Sequence, residues 1–278
     1  MIELPEIETI RRDLDRECAG TRIKDIDVKI ARAVGGASGK TKLVKALDKA
    51  KIEGVSRVGM LIRFDFDNEQ SLLVDLGTGG QLLRTANKDE VHKRTALILG
   101  FTQHGQVRLV DMEADASVSL HETEHIIDDR PELAELGIDP IEEPMSWTDF
   151  GRRLHSHETK LKTLLMDDTF VVGIGPMYAD EVLFHAMLRY DRLSNSLTTQ
   201  EIRRLYQALV LTLSDAVKYR GSSVEGSAYV DVFGEPGSYQ DHHSVYQKDG
   251  ELSPRSRRPI VKSKFGGVWT YYCEQSQV

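Results

Sequence analysis

The fold of this chain is decided by one stretch, from Lys162 to Ala186: K-T-L-L-M-D-D-T-F-V-V-G-I-G-P-M-Y-A-D-E-V-L-F-H-A. It begins and ends with the apolar spacing of helices, and between these segments lie two glycines, Gly173 and Gly175. Pro176 follows directly, and a helix tolerates proline in its first turn but not in its interior. The stretch therefore predicts two helices joined by a tight turn.

The rest of the C-terminal half continues this helical pattern and then loses it. Ser146 is a residue type that caps a helix, and residues 198–220 repeat apolar side chains every three or four positions. Beyond residue 221, glycine and serine are frequent. Residues 259–273, P-I-V-K-S-K-F-G-G-V-W-T-Y-Y-C, alternate on both sides of Gly266 and Gly267, which predicts a β-hairpin.

The N-terminal half has a different pattern. Pro5 is predicted to open a helix whose apolar face carries Ile7, Ile10, Leu14 and Cys18. Between residues 22 and 120, short apolar or alternating runs predict a sheet-rich domain, with one further helix near residues 40–47. We expect four parts in chain order: residues 1–130, an acidic linker at 131–145, a helical domain at 146–225 and a hairpin segment at 226–278.

Charge is distributed unevenly along the chain. The formal net charge is −8, and residues 121–144 hold nine acidic residues and one arginine, so this segment alone accounts for −8. Residues 251–278 hold five basic residues against two acidic ones. A neutral body with a mildly basic C-terminal segment permits nucleic-acid binding without requiring it.

Composition narrows the class of protein. No run approaches the roughly 18 apolar residues of a membrane-spanning helix, and the densely charged first twenty residues are unlike a secretory signal. The two cysteines, Cys18 and Cys273, are too few for a disulfide framework or a four-cysteine metal site. We therefore expect a cytoplasmic chain with no membrane partner.

Three separated segments resemble the formamidopyrimidine-DNA glycosylase and endonuclease VIII family. The N-terminal M-I-E-L-P-E-I-E-T-I-R-R-D-L is similar to the family's opening motif, residues 162–186 resemble its helix–two-turn–helix, and residues 245–273 resemble its zinc-finger hairpin. The resemblance implies an α+β fold, in which an N-terminal helix and β-sandwich precede a helical domain that ends in the hairpin finger. It also implies that DNA binds in the cleft between the domains.

This chain departs from the family at the nucleophile. Family enzymes attack the sugar with the amine of an N-terminal proline, which forms a Schiff base, and the matching residue here is Ile2. Because removal of an initiator methionine generally needs a small second residue, we expect Met1 to stay; if it were removed, the Ile2 amine would be an alternative nucleophile. Glu3 matches the family's acid–base residue, and with Glu6 it is a predicted catalytic carboxylate. The alternative is that both are favourable charges at a helix N-terminus.

The positions with which the family grips DNA are largely changed. The positions that match its phosphate-binding residues hold Met60, Asp75, Pro176 and Val268. Those that match the residues filling the space of an everted base hold Thr78, Ala114 and Asp115. Lys162 does match the family's helix lysine and is predicted, with Lys264, to contact DNA; the alternative for Lys162 is an exposed helix lysine. Because phosphate contacts dominate DNA affinity, any DNA binding is expected to be weak.

Three of the four zinc-ligand positions of the family's finger are also lost. The four positions hold Ser253, Ser256, Cys273 and Ser276. A closed structural zinc site needs four thiolate or imidazole ligands, so the sequence predicts a zincless finger with no metal and no cofactor. We expect the hairpin to be held by strand pairing and by its apolar residues, Val261, Trp269 and Tyr271.

Three functions stay open. The loss of nucleophile, phosphate donors and void-filling residues favours the first, a non-enzymatic nucleic-acid-binding protein related to DNA repair; a protein or small-molecule partner is a further alternative. The second is a monofunctional DNA glycosylase of base excision repair that acts through Glu3 and water. The third is a metal hydrolase, because H-E-T-E-H from His121 to His125 matches the H-E-x-x-H zinc motif. That motif requires a helix, and the residues before it predict a strand.

Overall fold

The computed structural model describes residues 2–103, 105–143, 145–224 and 229–278. The chain forms two compact units, the first made of Met1–Ala134 and Arg220–Ser238 and the second of Glu135–Tyr219 and Tyr239–Val278. This division differs from the predicted boundaries, because residues 220–238, predicted to end the helical domain and begin the hairpin segment, return to the first unit. The returning segment brings Tyr229 and Val232 into the core of the first unit.

The first unit begins with the predicted helix. Helix α1 spans Leu4–Cys18, with Glu3 as its N-cap residue and Pro5 in its first turn. Helix α2, Gly36–Leu47, confirms the second predicted helix, and the short helix α3 spans Ile126–Asp129.

Two antiparallel four-stranded sheets complete the first unit. In chain order the strands are β1 (Ile23–Val28), β2 (Ile52–Val58), β3 (Leu61–Phe66), β4 (Gln70–Asp75), β5 (Gly80–Thr85), β6 (Thr95–Phe101), β7 (Gln106–Asp111) and β8 (Ser117–Glu122). One sheet has the order β1-β6-β7-β5 and the other β2-β3-β4-β8. Apolar side chains of both sheets and of α1 share one buried cluster, so the predicted β-sandwich with an N-terminal helix is confirmed.

The second unit is helical and ends in a hairpin, as predicted. Its elements are helices α4 (Trp147–His155), α5 (Leu161–Leu165), α6 (Pro176–Ala186) and α7 (Thr199–Lys218), and strands β9 (Val261–Phe265) and β10 (Val268–Tyr272). Ser146 caps α4, its hydroxyl accepting a hydrogen bond from the amide of Asp149 at 3.1 Å. Pro176 is in the first helical turn of α6. Gly173 lies in the connection between α5 and α6 and adopts the positive φ, 68°, that glycine tolerates without strain.

The acidic segment is partly structured. A 3₁₀ helix spans Pro131–Glu135, and Ile138 pairs with Val171 in a parallel bridge. The predicted linker is therefore anchored to the turn of the second unit. Within the ranges that the structure describes, every helix is too short or too polar to cross a membrane.

Candidate nucleic-acid interface and catalytic residues

The start of α1 is buried, and each of its first residues has a distinct position. Ile2 is only 8% exposed and belongs to the hydrophobic cluster of the first unit. Glu3 is 3% exposed, and its backbone amide donates to Oε2 of Glu6 at 3.0 Å. Glu6 is fully buried, and its Oε1 accepts from the amide of Ser222 at 2.8 Å. The predicted retention of Met1 concerns a residue outside the described ranges.

The loop that reaches Glu6 follows α7 and has no room for a larger residue. Gly221 has φ of 77°, and a Cβ there would lie 2.7 Å from Oε1 of Glu6. The preceding Arg220 forms ion pairs with Asp231, at 2.6 Å, and with Asp13. Glu6 therefore ties the returning segment to α1 through Oε1, while its Oε2 caps the start of the same helix. A catalytic role for Glu6 stays a prediction, and the geometry gives it a positioning role.

Two exposed loops of the first unit are tied together by hydrogen bonds. Oδ2 of Asp115 accepts from the hydroxyl of Thr78 at 2.5 Å and from its amide at 2.9 Å. These two bonds, the side-chain one first, hold the pKa of the Asp115 carboxyl below its usual range. Asp75 caps the same loop by accepting from the amide of Gly77 at 2.9 Å. Asp75 and Asp115 therefore both help to fix the loop that carries Thr78.

Lys162 is buried in the second unit. Its Nζ lies 2.6 Å from Oδ1 of Asp180, 2.9 Å from Oγ1 of Thr270 and 3.2 Å from the carbonyl oxygen of Trp269. Burial raises the pKa of the Asp180 carboxyl, and the Lys162 ammonium opposes that rise. The alternative of an exposed helix lysine is wrong, because Lys162 is fully buried. Its predicted phosphate contact stays a prediction and would compete with these three bonds.

The hairpin presents Lys264 and an unexpected aromatic residue. Lys264 is exposed on β9, and its predicted contact with DNA stays a prediction. The prediction that Trp269 is one of the apolar residues that hold the hairpin is wrong, because Trp269 is 47% exposed on β10, where it pairs with Lys264. Tyr271, by contrast, is buried as predicted. Val261 is half-buried.

The four positions of the predicted zincless site do lie together. Ser253 and Ser276 hydroxyls are 3.2 Å apart, and the Ser256 hydroxyl is 3.2 Å from Sγ of Cys273. Burial opposes ionisation of this thiol, but hydrogen bonds from Ser256, Ser276 and Ser253 outweigh it and lower its pKa to about 7. Burial raises the pKa of the other thiol, Cys18, to about 12.

Comparison with known proteins places both units in one family. The N-terminal domain model of formamidopyrimidine-DNA glycosylase matches residues 1–116, and the H2TH domain model of that enzyme matches residues 136–227. The formamidopyrimidine-DNA glycosylase of Desulfitobacterium hafniense is 34% identical over 100% of both chains, and that of Pelotomaculum thermopropionicum is 31% identical over 100% of this chain and 99% of its own.

A solved structure agrees with the sequence matches. The Lactococcus lactis Fpg in complex with DNA that contains an abasic site superposes with a TM-score of 0.89, at 29% identity and with 99% of each chain covered. The chain belongs to the formamidopyrimidine-DNA glycosylase family.

The residues that the sequence predicts at the family's DNA-gripping positions have a different chemistry, and that matching stays a prediction. Met60 is half-buried against the core of the first unit. Pro176 begins α6 and has no amide hydrogen to donate, and Val268 begins β10 and is half-buried. None of these three side chains carries the positive charge that holds a phosphate.

The H-E-T-E-H motif does not form the helical zinc site of a metal hydrolase. His121 is on strand β8, and its ring nitrogens contact Asp129 at 2.6 Å and Ser119 at 2.8 Å. His125 is exposed at the end of a 3₁₀ helix. The two histidines therefore do not share one face of an α-helix, and the metal-hydrolase hypothesis is not met by the geometry.

Sequence reasoning missed three residues that shape this family member. Arg220 and Ser222 reach back to α1, and their sequence neighbourhood gives no sign of a contact more than two hundred residues away. The Gly221 between them was the available signal, since glycine is favoured where backbone approaches closely at positive φ. The third is Trp269, because the alternation of the strand gives no sign that it is more exposed than Tyr271.

Proposed function

We propose that this protein binds DNA without the Schiff-base glycosylase and lyase chemistry of its family. The observation that carries the proposal is Ile2. Its side chain is packed in the hydrophobic core at the position where the family enzymes present the attacking proline. Isoleucine has no secondary amine like that of an N-terminal proline. Because the Ile2 side chain is packed, it also restricts the backbone movement by which another amine could take the place of the nucleophile.

DNA is the partner that the family relationship supports. The related Lactococcus lactis protein was solved with abasic-site DNA, and it covers 99% of this chain. The phosphate-gripping positions argue for weak binding, because Met60 and Val268 are neutral and Asp75 is acidic. Each lost charge-assisted phosphate bond removes about 1.5–3 kcal/mol of binding free energy.

The loops of the first unit argue against holding a base that is turned out of a duplex. Thr78 and Asp115 stand at positions where the family fills the space left by an everted base, and here the two side chains bond to each other. Both are short and polar. Neither therefore supplies the apolar wedge that would support a base turned out of the stack.

A second candidate function is base removal through Glu3 without strand cleavage. The observation in its favour is that Glu3 is nearly fully buried at the N-terminus of α1, with its backbone held by Glu6. A positioned carboxylate that protonates a departing base or activates water accelerates such a step by about 10²–10⁴-fold. This activity would leave an abasic site and an intact strand.

The experiment that tests the main proposal is a binding titration. Labelled undamaged duplex, abasic duplex and single-stranded DNA are titrated with the full chain at two salt concentrations. We expect apparent dissociation constants of about 10⁻⁴–10⁻⁶ M at physiological salt, weakening as salt rises. Nanomolar affinity for the abasic duplex would refute the proposal, because it requires the phosphate grip that these positions lack.

A base-release assay separates the two candidates. Oxidised-base duplexes are incubated with the protein and with Glu3→Gln, and released base and strand cleavage are measured separately. Base release without cleavage that disappears in Glu3→Gln would establish the monofunctional glycosylase. Absence of release from several oxidised bases leaves DNA binding as the function.

A further inference from the structure

Trp269 is the feature of the second unit that hairpin packing does not explain. Its side chain is 47% exposed, although tryptophan usually buries most of its surface. Two lysine ammonium groups lie near its ring, that of Lys264 at 5.1 Å and that of Lys262 at 5.4 Å from the centroid. The hairpin thus presents an aromatic face within a positively charged surround.

The backbone that carries Trp269 is held from inside the unit. Its carbonyl oxygen accepts from Nζ of Lys162 at 3.2 Å, and the next residue, Thr270, bonds the same ammonium. The amide of Tyr271 donates to Oδ2 of Asp180 at 2.9 Å. The indole is therefore mounted on a strand anchored by a buried ion pair, and little backbone entropy remains to be lost when a ligand stacks on it.

Charge favours a polyanion at this surface. Residues 251–278 hold five basic residues against two acidic ones in a chain whose net charge is −8. Lys262 also pairs with Asp249 at 2.9 Å, so Lys264 is the better placed of the two to contact a ligand. An aromatic platform with flanking cations is the arrangement that proteins use to hold unpaired bases and their phosphates.

We propose that Trp269 stacks on an unpaired base of single-stranded DNA while Lys264 and Lys262 contact the flanking phosphates. This inference rests on the proposed DNA-binding function and assigns its strand preference. The stacking partner must be unpaired, because a base within a duplex shows its faces only to its neighbours in the stack. The interaction is sequence-tolerant, since every base has a π-face.

The test uses the emission of Trp269 together with an independent measure of binding. The chain has two tryptophans, so Trp147→Phe leaves Trp269 as the only one. This variant is titrated with an oligothymidine of about 16 nucleotides, and a labelled copy of that strand reports binding by anisotropy. We expect the emission of Trp269 to be quenched in step with the anisotropy.

Matched variants identify the groups involved. Trp269→Ala should weaken single-strand binding by about 5- to 150-fold, and Lys264→Ala should lower the salt dependence by about 0.7 in the log–log slope. Trp269→Phe leaves Trp147 as the reporter, which lies 4.2 Å from the guanidinium of Arg203, and its emission should not change on binding.

Three outcomes would overturn the inference. Binding seen by anisotropy without quenching, and equal in Trp269→Ala, places the DNA elsewhere while the proposed function stands. Binding to duplex but not to the single strand has the same meaning. Loss of binding to every DNA form, at low as well as high salt, removes the proposed function and this inference together.

Discussion

Nζ of Lys162 lies 2.6 Å from Oδ1 of Asp180, and both side chains are buried where the helices meet the hairpin. Removing one partner of a buried pair leaves an uncompensated charge, so Lys162→Met should lower the free energy of unfolding by about 3–5 kcal/mol. Denaturant unfolding measures this. The exposed Lys160→Met is the control and should change stability by less than about 1 kcal/mol.

The double variant Lys162→Met/Asp180→Asn extends this prediction. It removes both charges and keeps a side-chain oxygen for the amide of Tyr271, so part of the lost stability should return. Equal losses in the single and double variants would show that Lys162 acts through packing of its aliphatic stem and not through the pair.

Glu6 is expected to matter for stability independently of any chemistry. In Glu6→Gln an amide nitrogen replaces one of the oxygens that accept from the amides of Glu3 and Ser222. We expect the free energy of unfolding to fall by about 1–3 kcal/mol, because a buried donor then faces a donor. Glu17→Gln at the far end of α1 is the matched control; a similar loss there would contradict this role.

The Cys273 site should bind zinc only after its serines are replaced. We expect far less than one zinc per chain in protein purified without a metal-binding tag. Ser253→Cys, Ser256→Cys and Ser276→Cys combined should bring the content close to one, since these side chains already lie together around Cys273. Stoichiometric zinc in the unaltered protein that is lost in Cys273→Ala would show that the serines do not prevent metal binding.

The two cysteines should titrate far apart. We expect one thiol to ionise near pH 7, Cys273, and the other, Cys18, to stay protonated up to about pH 12, as followed by thiolate absorbance. Because the folded pKa of Cys273 lies below the ordinary value of about 8.5, its contribution to stability is present above that value and is lost as pH falls through about 7. Cys273→Ser should abolish the low transition, and a transition that persists would assign it to another group.

Borohydride reduction tests the altered N-terminus. It traps an amine–sugar Schiff base as a protein–DNA crosslink, and we expect no efficient crosslink of this protein to abasic DNA. Ile2→Pro should increase crosslinking, because it restores the family's residue and permits methionine removal. A strong crosslink in the unaltered protein, mapped to its N-terminal amine, would contradict both proposed functions.

The fold could be predicted where its signals are local. Pro5 and the apolar spacing after it locate α1, and the glycine pair at 266–267 locates the hairpin turn. The environments of side chains could not be predicted in the same way. The motif containing Lys162 fixes that residue on α5, but its burial depends on Asp180 and on strand β10, which are distant in sequence.

The candidate site, too, has residues that could be predicted from the sequence and contacts that could not. The chemical types at the positions of Ile2 and Glu3 were predictable from the sequence alone. The partnership of Glu6 with Ser222 was not, because it joins residues at opposite ends of the first unit's sequence and has no periodicity. The exposure of Trp269 was not predictable either, because Tyr271 lies two positions further along the same strand and is buried.

The return of residues 220–238 to the first unit has a consequence for biosynthesis. The strands of that unit leave the ribosome early, but Val232, whose carbonyl oxygen accepts from the amide of Arg84 at 2.7 Å, arrives only after residues 135–219 have been made. At about 5–20 residues per second this delay is roughly 4–17 s. Throughout that interval the nascent sandwich lacks the side chains of Tyr229 and Val232, so we expect its core to be completed only after the helices of the second unit have been made.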